Sequence, residues 1–568
     1  MLAKKGQLML LLAACVSIAG CSGSNGDASG NGNNSKNANT GDQGKKQEEE
    51  AALPMINGKY DPPVTITTVK KIATPTTFKN GETADDNVHY KWAEEKLGIK
   101  IENLWSVVNT SDAYNTKLKL MLSSNEKLPD VVFAAGEVAQ MLIDSGKFRE
   151  VGPLFDQYAS ESWKQAMNEA PTAWYEFTRD GKRYGIPNLD YDYNNDPVLW
   201  VRKDWMEKLG LPEPVTIDDY EKMLDAFKNN DPDGNGKADT YGTAVGLKDS
   251  YGNMFSLSWV FGAYGSLPEM WLEQADGKLG YGSVQPQIKE GLAKLKDWVQ
   301  KGYIPMEAGI WDQGKAGSFM SAGKAGSFTG PFWSEAWPMG DMNVNNPQAE
   351  LTTFKLPTGP DGKTMHYGSH PYTGALLINK DMEHPEIFFT YANYLFDHVV
   401  NPEAGSEYEH GWAEGYDWAK VDGEVTYDLN KVPGGGVRVF FYSLLDGGPR
   451  IPSLNVSALV KVAANGKAET PYEKIWSGFV PPIELESATD VWNQRDTRFK
   501  NAYTGGSTET MKLKWDYLRK LELKTFSDII FGDKPVDSFD DFVTEWKSQG
   551  GDRITEEVNE WYTSVAGK

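Results

Sequence analysis

The residues best suited to chemistry in this 568-residue chain form one short run, Asp231-Pro232-Asp233-Gly234-Asn235-Gly236-Lys237-Ala238-Asp239. Oxygen-bearing groups recur at positions 1, 3, 5 and 9, with glycine at 6. That is the pattern of a calcium loop of the EF-hand type, in which alternate residues of a tight turn aim six to eight oxygens at one hard cation. The ligands would be the side chains of Asp231, Asp233, Asn235 and Asp239 and the backbone carbonyl of Lys237. The bidentate glutamate expected at position 12 is replaced by Gly242, with Thr240 at position 10. The last ligand would then be water, a backbone carbonyl or a more distant side chain. The plain alternative is an Asx-rich turn that holds no metal. The expectation is Ca²⁺ in a structural role.

Aromatic residues make the second set. The chain has 19 Trp, 26 Tyr and 23 Phe, more than packing a core demands, and many tryptophans sit beside Gly, Pro or Asp. Some would offer flat stacking surfaces to a ligand. The strongest cluster is Gly330-Pro331-Phe332-Trp333-Ser334-Glu335 with Trp337, followed by Gly411-Trp412-Ala413-Glu414-Gly415-Tyr416-Asp417-Trp418. Further candidates are Asp190, Asp192, Tyr193 and Asn194 in a polar loop, Trp259 in an aromatic helix, Trp311 in a Gly-flanked loop, and Tyr372. His366 and His370 are four apart, but Gly368 and Pro371 oppose the helix that would join them, so they do not form a metal pair. Gly323-Lys324-Ala325-Gly326 and Gly362-Lys363-Thr364 lack phosphate-loop spacing.

Composition removes other chemistries. Only Cys15 and Cys21 are present. Lys4 and Lys5, an apolar run from Leu8 to Ala19, and Ile18-Ala19-Gly20-Cys21 read as an export signal ending at a lipobox-like site. The run is well short of the roughly 20 residues of a spanning helix. Residues 1–20 are then a signal peptide and Cys21 carries the lipid. With Cys15 removed and Cys21 acylated, the mature body has no disulfide, thiolate metal site or thiol nucleophile. The net charge of −23 becomes more negative without Lys4 and Lys5. Such a body is repelled by phosphate backbones and anionic lipid, which argues against nucleic acid and leaves the tether to hold it at a membrane.

The elements that must position these residues follow from pattern. Residues 21–53 are Gly, Ser, Asn, Lys, Gln and Glu with almost nothing apolar, a flexible tether. Val64–Val69 alternates as a strand, Asn87–Leu97 is a helix stopped at Gly98, Ile99–Leu104 is a strand, Tyr114–Ser123 a helix and Pro129–Phe133 a buried strand. The alternation predicts a parallel, helix-covered sheet. Arg202-Lys203-Asp204 starts a helix that Gly210 and Pro212 end. From Glu509 the chain is mostly helical, with Phe539, Phe542, Trp546, Ile554, Val558 and Trp561 as core-facing stripes. Trp200 and Trp205 read as core.

Tyr184-Gly185-Ile186-Pro187, Leu199-Trp200-Val201-Arg202-Lys203-Asp204-Trp205, Leu209-Gly210-Leu211-Pro212 with Pro214 and Thr216, Phe319-Met320-Ser321-Ala322-Gly323-Lys324-Ala325-Gly326, and Gly550-Gly551-Asp552 with Glu557, Asn559, Glu560 and Trp561 stand in this order. The set resembles the family 1 extracellular solute-binding proteins of ATP-driven importers, and looks closest to the large LplA-like lipoproteins of Gram-positive bacteria. The resemblance implies an α/β, two-lobed periplasmic-binding-protein-like fold, type II-like, with a ligand cleft between lobes. Lobe 1 would comprise 54–188 and 374–452, and lobe 2 would comprise 189–373 and 453–568 with the calcium loop. Crossings are expected near 185–198, 366–374 and 448–455. The family places a cleft-lining Trp after the Gly323-Lys324 motif, which points to Trp333, and carries a G-x-E-G-x-x-Y segment similar to that around Trp412 and Tyr416. Some polysaccharide-binding members carry a similar calcium loop.

The resemblance and the tryptophans imply a binding protein, not an enzyme, that captures an oligosaccharide by lobe closure and delivers it to a permease. A monomer tethered outside the membrane is expected. A sensor subunit presenting ligand to a membrane kinase uses the same closure, and gene neighbours would separate the two. A peptide ligand would call for backbone-pairing edges in place of Trp planes. A secreted glycoside hydrolase would need a paired acid and base. Glu484 with Glu486, or Glu409 with Glu414, could be nominated, but carboxylates are too common here for such pairs to carry information.

Overall fold

Local rules explain where the elements begin and end. The computed structural model describes residues 53–72, 77–108, 112–252, 254–433 and 438–565. Strand β1 (Val64–Ile72) is followed by helix α1 (Val88–Leu97). Asn87 caps α1 by accepting from the His89 and Tyr90 amides, and Gly98 ends it in the left-handed conformation (φ 68°) that glycine tolerates. Strand β2 (Ile99–Val108) then pairs with β1 in parallel. Helix α2 (Ala113–Ser124) leads to β3 (Val131–Ala134). Thr67 in β1 binds Asp130, before β3, through both its hydroxyl (2.7 Å) and its amide (2.8 Å).

Strand β4 (Ile186–Leu189) is wholly buried, and β5 (Val198–Arg202) follows after eight residues. They belong to different sheets. Helices α3 (Lys203–Leu209), α4 (Ile217–Asn229), α5 (Ser258–Gly262), α6 (Ile288–Gln300) and α7 (Gln313–Ser321) come next. Gly210 ends α3 at φ 65°, and Thr216 with Asp219 makes a reciprocal capping box on α4. Strands β6 (Ser327–Gly330) and β7 (Leu351–Phe354) flank β5, both antiparallel to it.

Strand β8 (His366–Gly368) leads to β9 (Tyr372–Ile378). β9 lies between β3 and β4, antiparallel to both, with Ala375 opposite Ala134 and Pro187. Among the described strands, the expected parallel pairing is found at β1–β2 and between His366–Gly368 and Arg498–Lys500. The reason is topological: β9 returns to the first sheet from the far side of the molecule, so it runs against its neighbours.

Helix α8 (Leu454–Asn465) packs on α9 (Pro471–Phe479) and on α10 (Pro482–Asn493), and α10 packs on β7 and β5. Strand β10 (Arg498–Lys500) precedes α11 (Glu509–Ile530), α12 (Ser538–Trp546) and α13 (Asp552–Val565).

The cores follow the two groups of strands. One gathers Val69, Leu118, Val132, Phe177 and Leu377 around the β3–β9–β4 sheet. A second holds Trp200, Phe255, Phe328 and Val491, and a larger one holds Tyr220, Trp259, Trp298, Phe526, Phe542, Trp546 and Val558. Trp200 and Trp205 are buried, as expected. Trp561 is half-buried and packs its ring on Tyr503 at 4.7 Å. Among the described residues no helix is long and apolar enough to cross a membrane. Cys15, Cys21 and the tether lie outside the described residues, apart from Leu53.

Candidate functional site

Three segments meet beside the β3–β9–β4 and β6–β5–β7 sheets, and hydrogen bonds and ion pairs lace them together. Residues 190–197 run from β4 to β5, 369–371 from β8 to β9, and a third stretch near Arg450 leads into α8. The Asp190 amide donates to Pro371 O and the Asp192 amide to Pro452 O, both at 2.9 Å. Arg450 pairs with the buried Asp190. Arg498 reaches from β10 to Asp196, to Asp192 (2.7 Å) and to Ser369 O (2.8 Å), and Lys500 adds a 3.0 Å bond to Asp192. Asp196 is fully buried, which pushes its carboxyl up against the opposing pull of Arg498. Burial acts the same way on Asp192, but Arg498 and Lys500 outweigh it and hold that carboxyl below its usual range.

A cavity of about 350 Å³ opens beside these segments. Its walls include Trp333, Trp337 and Trp259, with Met254 and Pro331, and the polar side chains of Asn195, Ser256, Ser258, Gln313, Thr329, Tyr367 and Ser369. A second cavity of about 340 Å³ shares Gln313 and Trp337 with it and adds Asp249, Ser250 and Asp312. Each falls in the range of small-ligand sites. Sharing two wall residues, the cavities adjoin as one groove.

The turn after β6 positions the two leading tryptophans. Ser334 Oγ donates to Pro331 O at 2.7 Å, and Ser487 of α10 donates to Phe332 O at 2.7 Å. Glu484 of α10 accepts from the Ala336 amide at 3.0 Å. The Trp333 indole N–H donates to Asn194 O at 2.6 Å, tying the turn to the first crossing. The Trp333 and Trp337 rings lie 6.2 Å apart at 33°, and Trp337 is 48% exposed. Trp259 stands edge-on to Tyr220 at 5.3 Å, and its buried indole N–H has no hydrogen-bond partner. Behind Ser250, Glu269 accepts from its Oγ and from the Tyr251 amide and pairs with Arg519.

The structure brings Trp333, Trp337 and Trp259 together and places the other candidates elsewhere. Glu335 is half-buried beside Glu484, and burial raises its carboxyl. Trp412 stands edge-on to His89 (4.6 Å) and Trp92 (5.6 Å) and lines a separate cavity of about 80 Å³ with Tyr472, Trp476 and Phe479. Tyr416 donates to Glu82 at 2.9 Å. Asp192 is taken up by Arg498 and Lys500, and the Tyr193 ring lies 4.2 Å under the Arg498 guanidinium. Trp311 packs on Phe319 at 4.8 Å, and Tyr372 faces Phe177 and His370. His366 is buried against Thr497, its imidazole pushed down to about 3 by burial, and His370 meets Asn501 O. Glu484 lies under the turn and lines neither cavity. Sequence reasoning missed Ser256, Ser258, Gln313, Thr329, Tyr367 and Ser369. They are common residue types, and nothing in their spacing marks them.

The 231–239 loop turns through positive φ at Asp231, Gly234 and Gly236. Asp231 Oδ2 accepts from the Gly236 amide at 3.1 Å, while its Oδ1 is buried without a hydrogen-bond partner. Asn235 Nδ2 bridges Asp233 (2.7 Å) and Asp239 (3.0 Å), and Lys324 meets Asp239 at 2.7 Å. Amide and ammonium donors thus balance these carboxylates, and among the described residues no three acidic, His or Cys side chains converge as metal ligands. The buried Asp231 Oδ1 is left open to a hard cation, and the loop's other carboxylates would have to exchange their protein donors for it.

The sequence matches the bacterial extracellular solute-binding protein family over residues 75–402. A polygalacturonan/rhamnogalacturonan-binding protein, YtcQ of Bacillus subtilis, is 24% identical over 422 residues, covering 73% of this chain and 76% of that one. The lipoprotein LipO of the same organism is 25% identical over 499 residues, covering 85% and 90%. Among solved structures, the Streptococcus pneumoniae ABC-transporter substrate-binding protein FusA, an EF-hand mutant in complex with fructo-nystose, superposes with a TM-score of 0.62 at 18% identity, covering 89% of this chain and 100% of that one. That likeness gives the two-lobed α/β solute-binding fold. The chain belongs to the bacterial extracellular solute-binding protein family.

Proposed function

We propose that this protein captures an oligosaccharide in the groove at Trp333 and Trp337 and delivers it to an ABC importer. The observation that carries the reading is the paired cavities, with indole surfaces on one side and hydroxyl and amide groups around them. A sugar ring offers apolar C–H faces to the indoles and hydroxyls to Ser, Thr, Asn and Gln. The names of YtcQ and FusA, one a polysaccharide-binding protein and one in complex with an oligosaccharide, support the same ligand class.

In this reading 54–188 with 374–452 forms lobe 1, and 189–373 with 453–568 forms lobe 2. The three laced segments are the hinge, and contacts from both lobes favour closure over the ligand. Cys21 carries a lipid that holds the monomer at the outer face of the membrane, a role in keeping with the lipoprotein LipO. The 231–239 loop holds Ca²⁺ and staples lobe 2, in keeping with the EF-hand named for FusA.

A thermal-shift screen against plant, algal and bacterial oligosaccharides tests the reading. A ligand at 100 times its dissociation constant adds about 2.7 kcal/mol of stability. A saturable shift for one oligosaccharide series is expected. No shift across the panel, with peptides shifting the protein in its place, would overturn it.

A further inference from the structure

We infer that the groove selects uncharged oligosaccharides and rejects sugar acids such as uronates, an inference that rests on the oligosaccharide reading above. Among the described residues that line the two cavities, the only charged side chains are Asp249 and Asp312. Both are carboxylates, and neither takes part in an ion pair among the described residues. Asp312 Oδ1 caps α7 by accepting from the Lys315 amide at 2.8 Å, a bond that leaves its negative charge in place. Among the described residues, no Lys, Arg or His lines either cavity.

Lys248 and Lys315 adjoin lining residues in sequence but line neither cavity, and other cations of the fold are held in contacts of their own, Arg519 with Glu269 and Glu522 among them. Arg498 is spent on Asp192, Asp196 and Ser369 O, and Lys500 on Asp192. Across the crossings, Lys71 pairs with Asp446 at 2.9 Å, and Lys70 donates to Ser443 O at 2.7 Å. Arg438 lies over the Phe479 ring at 3.8 Å, and Phe479 lines the separate cavity near Trp412.

A ligand carboxylate needs charge-assisted donors, above all a guanidinium fork. In this groove it would lose hydration, find none of them, and meet two like charges in a medium less screening than water. A neutral ring bearing a hydroxymethyl group at the same carbon loses far less. Its hydroxyls can donate to Asp249 and Asp312 and exchange bonds with Ser256, Ser258 and Gln313. The net charge of −23 adds a long-range repulsion of the same sign.

The test is isothermal titration calorimetry of the protein with matched pairs of equal length that differ only at the carboxyl carbon. Oligogalacturonides with their carboxyl-reduced counterparts form one pair, and oligomannuronides with oligomannosides another. The neutral member of whichever pair binds should do so at least about tenfold more tightly, the ratio expected from a single unfavourable charge contact. Raising the ionic strength should strengthen binding of the acidic member and leave the neutral one unchanged. Asp249→Asn together with Asp312→Asn should narrow the gap. The inference is overturned if an acidic member binds as tightly as its neutral partner, or if salt weakens it. If no member of any pair binds, while peptides or other non-sugar ligands do, the oligosaccharide reading fails and this inference falls with it.

Discussion

Glu484 gives the turn that carries Trp333 and Trp337 a dependence on pH. It lies in the first turn of α10, 1% exposed, with the Ala336 amide donating to it at 3.0 Å. Burial raises its carboxyl from 4.5 to about 7. The Ala336 bond opposes the rise, nearby Glu335 adds to it, and Arg438 opposes it weakly. A displacement of that size corresponds to about 3 kcal/mol. Because the folded value lies above the unfolded one, the folded state binds more protons, so this contribution to stability is complete below pH 4.5. It is lost as pH rises through about 7. Asp417, raised by burial to about 6, titrates in the same window. The informative quantity is therefore the difference between wild type and Glu484→Gln, which keeps an acceptor for the Ala336 amide and removes the ionisation. Urea unfolding at a series of pH values should show the two proteins similar near pH 4. The variant should be more stable by about 3 kcal/mol near pH 8. A difference that does not change with pH, or a variant less stable at pH 8, would refute the reasoning.

Three further outcomes follow from the same geometry. Trp337→Ala should weaken oligosaccharide binding about tenfold, the loss of one stacking surface, and barely change the melting temperature because the ring is half exposed; calorimetry and thermal melts together check this. Arg498→Met leaves Asp196 buried without its cation and should cost about 3–5 kcal/mol in urea unfolding, whereas a loss within experimental error would show the pair to be dispensable. Adding Ca²⁺ after chelation should raise the melting temperature, by about 2.7 kcal/mol of stability at 100 times the dissociation constant, and Asp231→Ala should abolish the response. A wild type indifferent to Ca²⁺ would count the loop as a metal-free Asx turn.

Much of the local structure was legible in the sequence. Asn87 and Gly98 bracket α1, and Gly210 ends α3, because capping and left-handed turns are decided by single residues and their immediate neighbours. Phe539, Phe542 and Trp546 fell at helical spacing and are buried, as that periodicity requires. Trp333 stood out because Gly330, Pro331 and its neighbours form a turn readable from residue type. The order of short motifs along the chain carried the family, since each is a local event repeated at a set distance from the next.

Other features depended on where distant segments meet. The direction of β9 was settled by its return from the far sheet, and the local strand pattern is the same for either direction. Trp259, Tyr367 and Ser369 became neighbours of Trp333 only when α5, β8 and the second crossing closed around the turn after β6. Trp412 was the second aromatic candidate after Trp333, and tertiary packing put it against His89 and Trp92 beside another cavity. Asp192 had the residue type of a sugar-binding carboxylate, and Arg498, some three hundred positions later, took it into an ion pair. Capping, periodicity and turn chemistry act over a few residues and so can be read along the chain. Which wall a side chain joins, and whether its charge is already spent, is decided by contacts between segments that only the folded chain brings together.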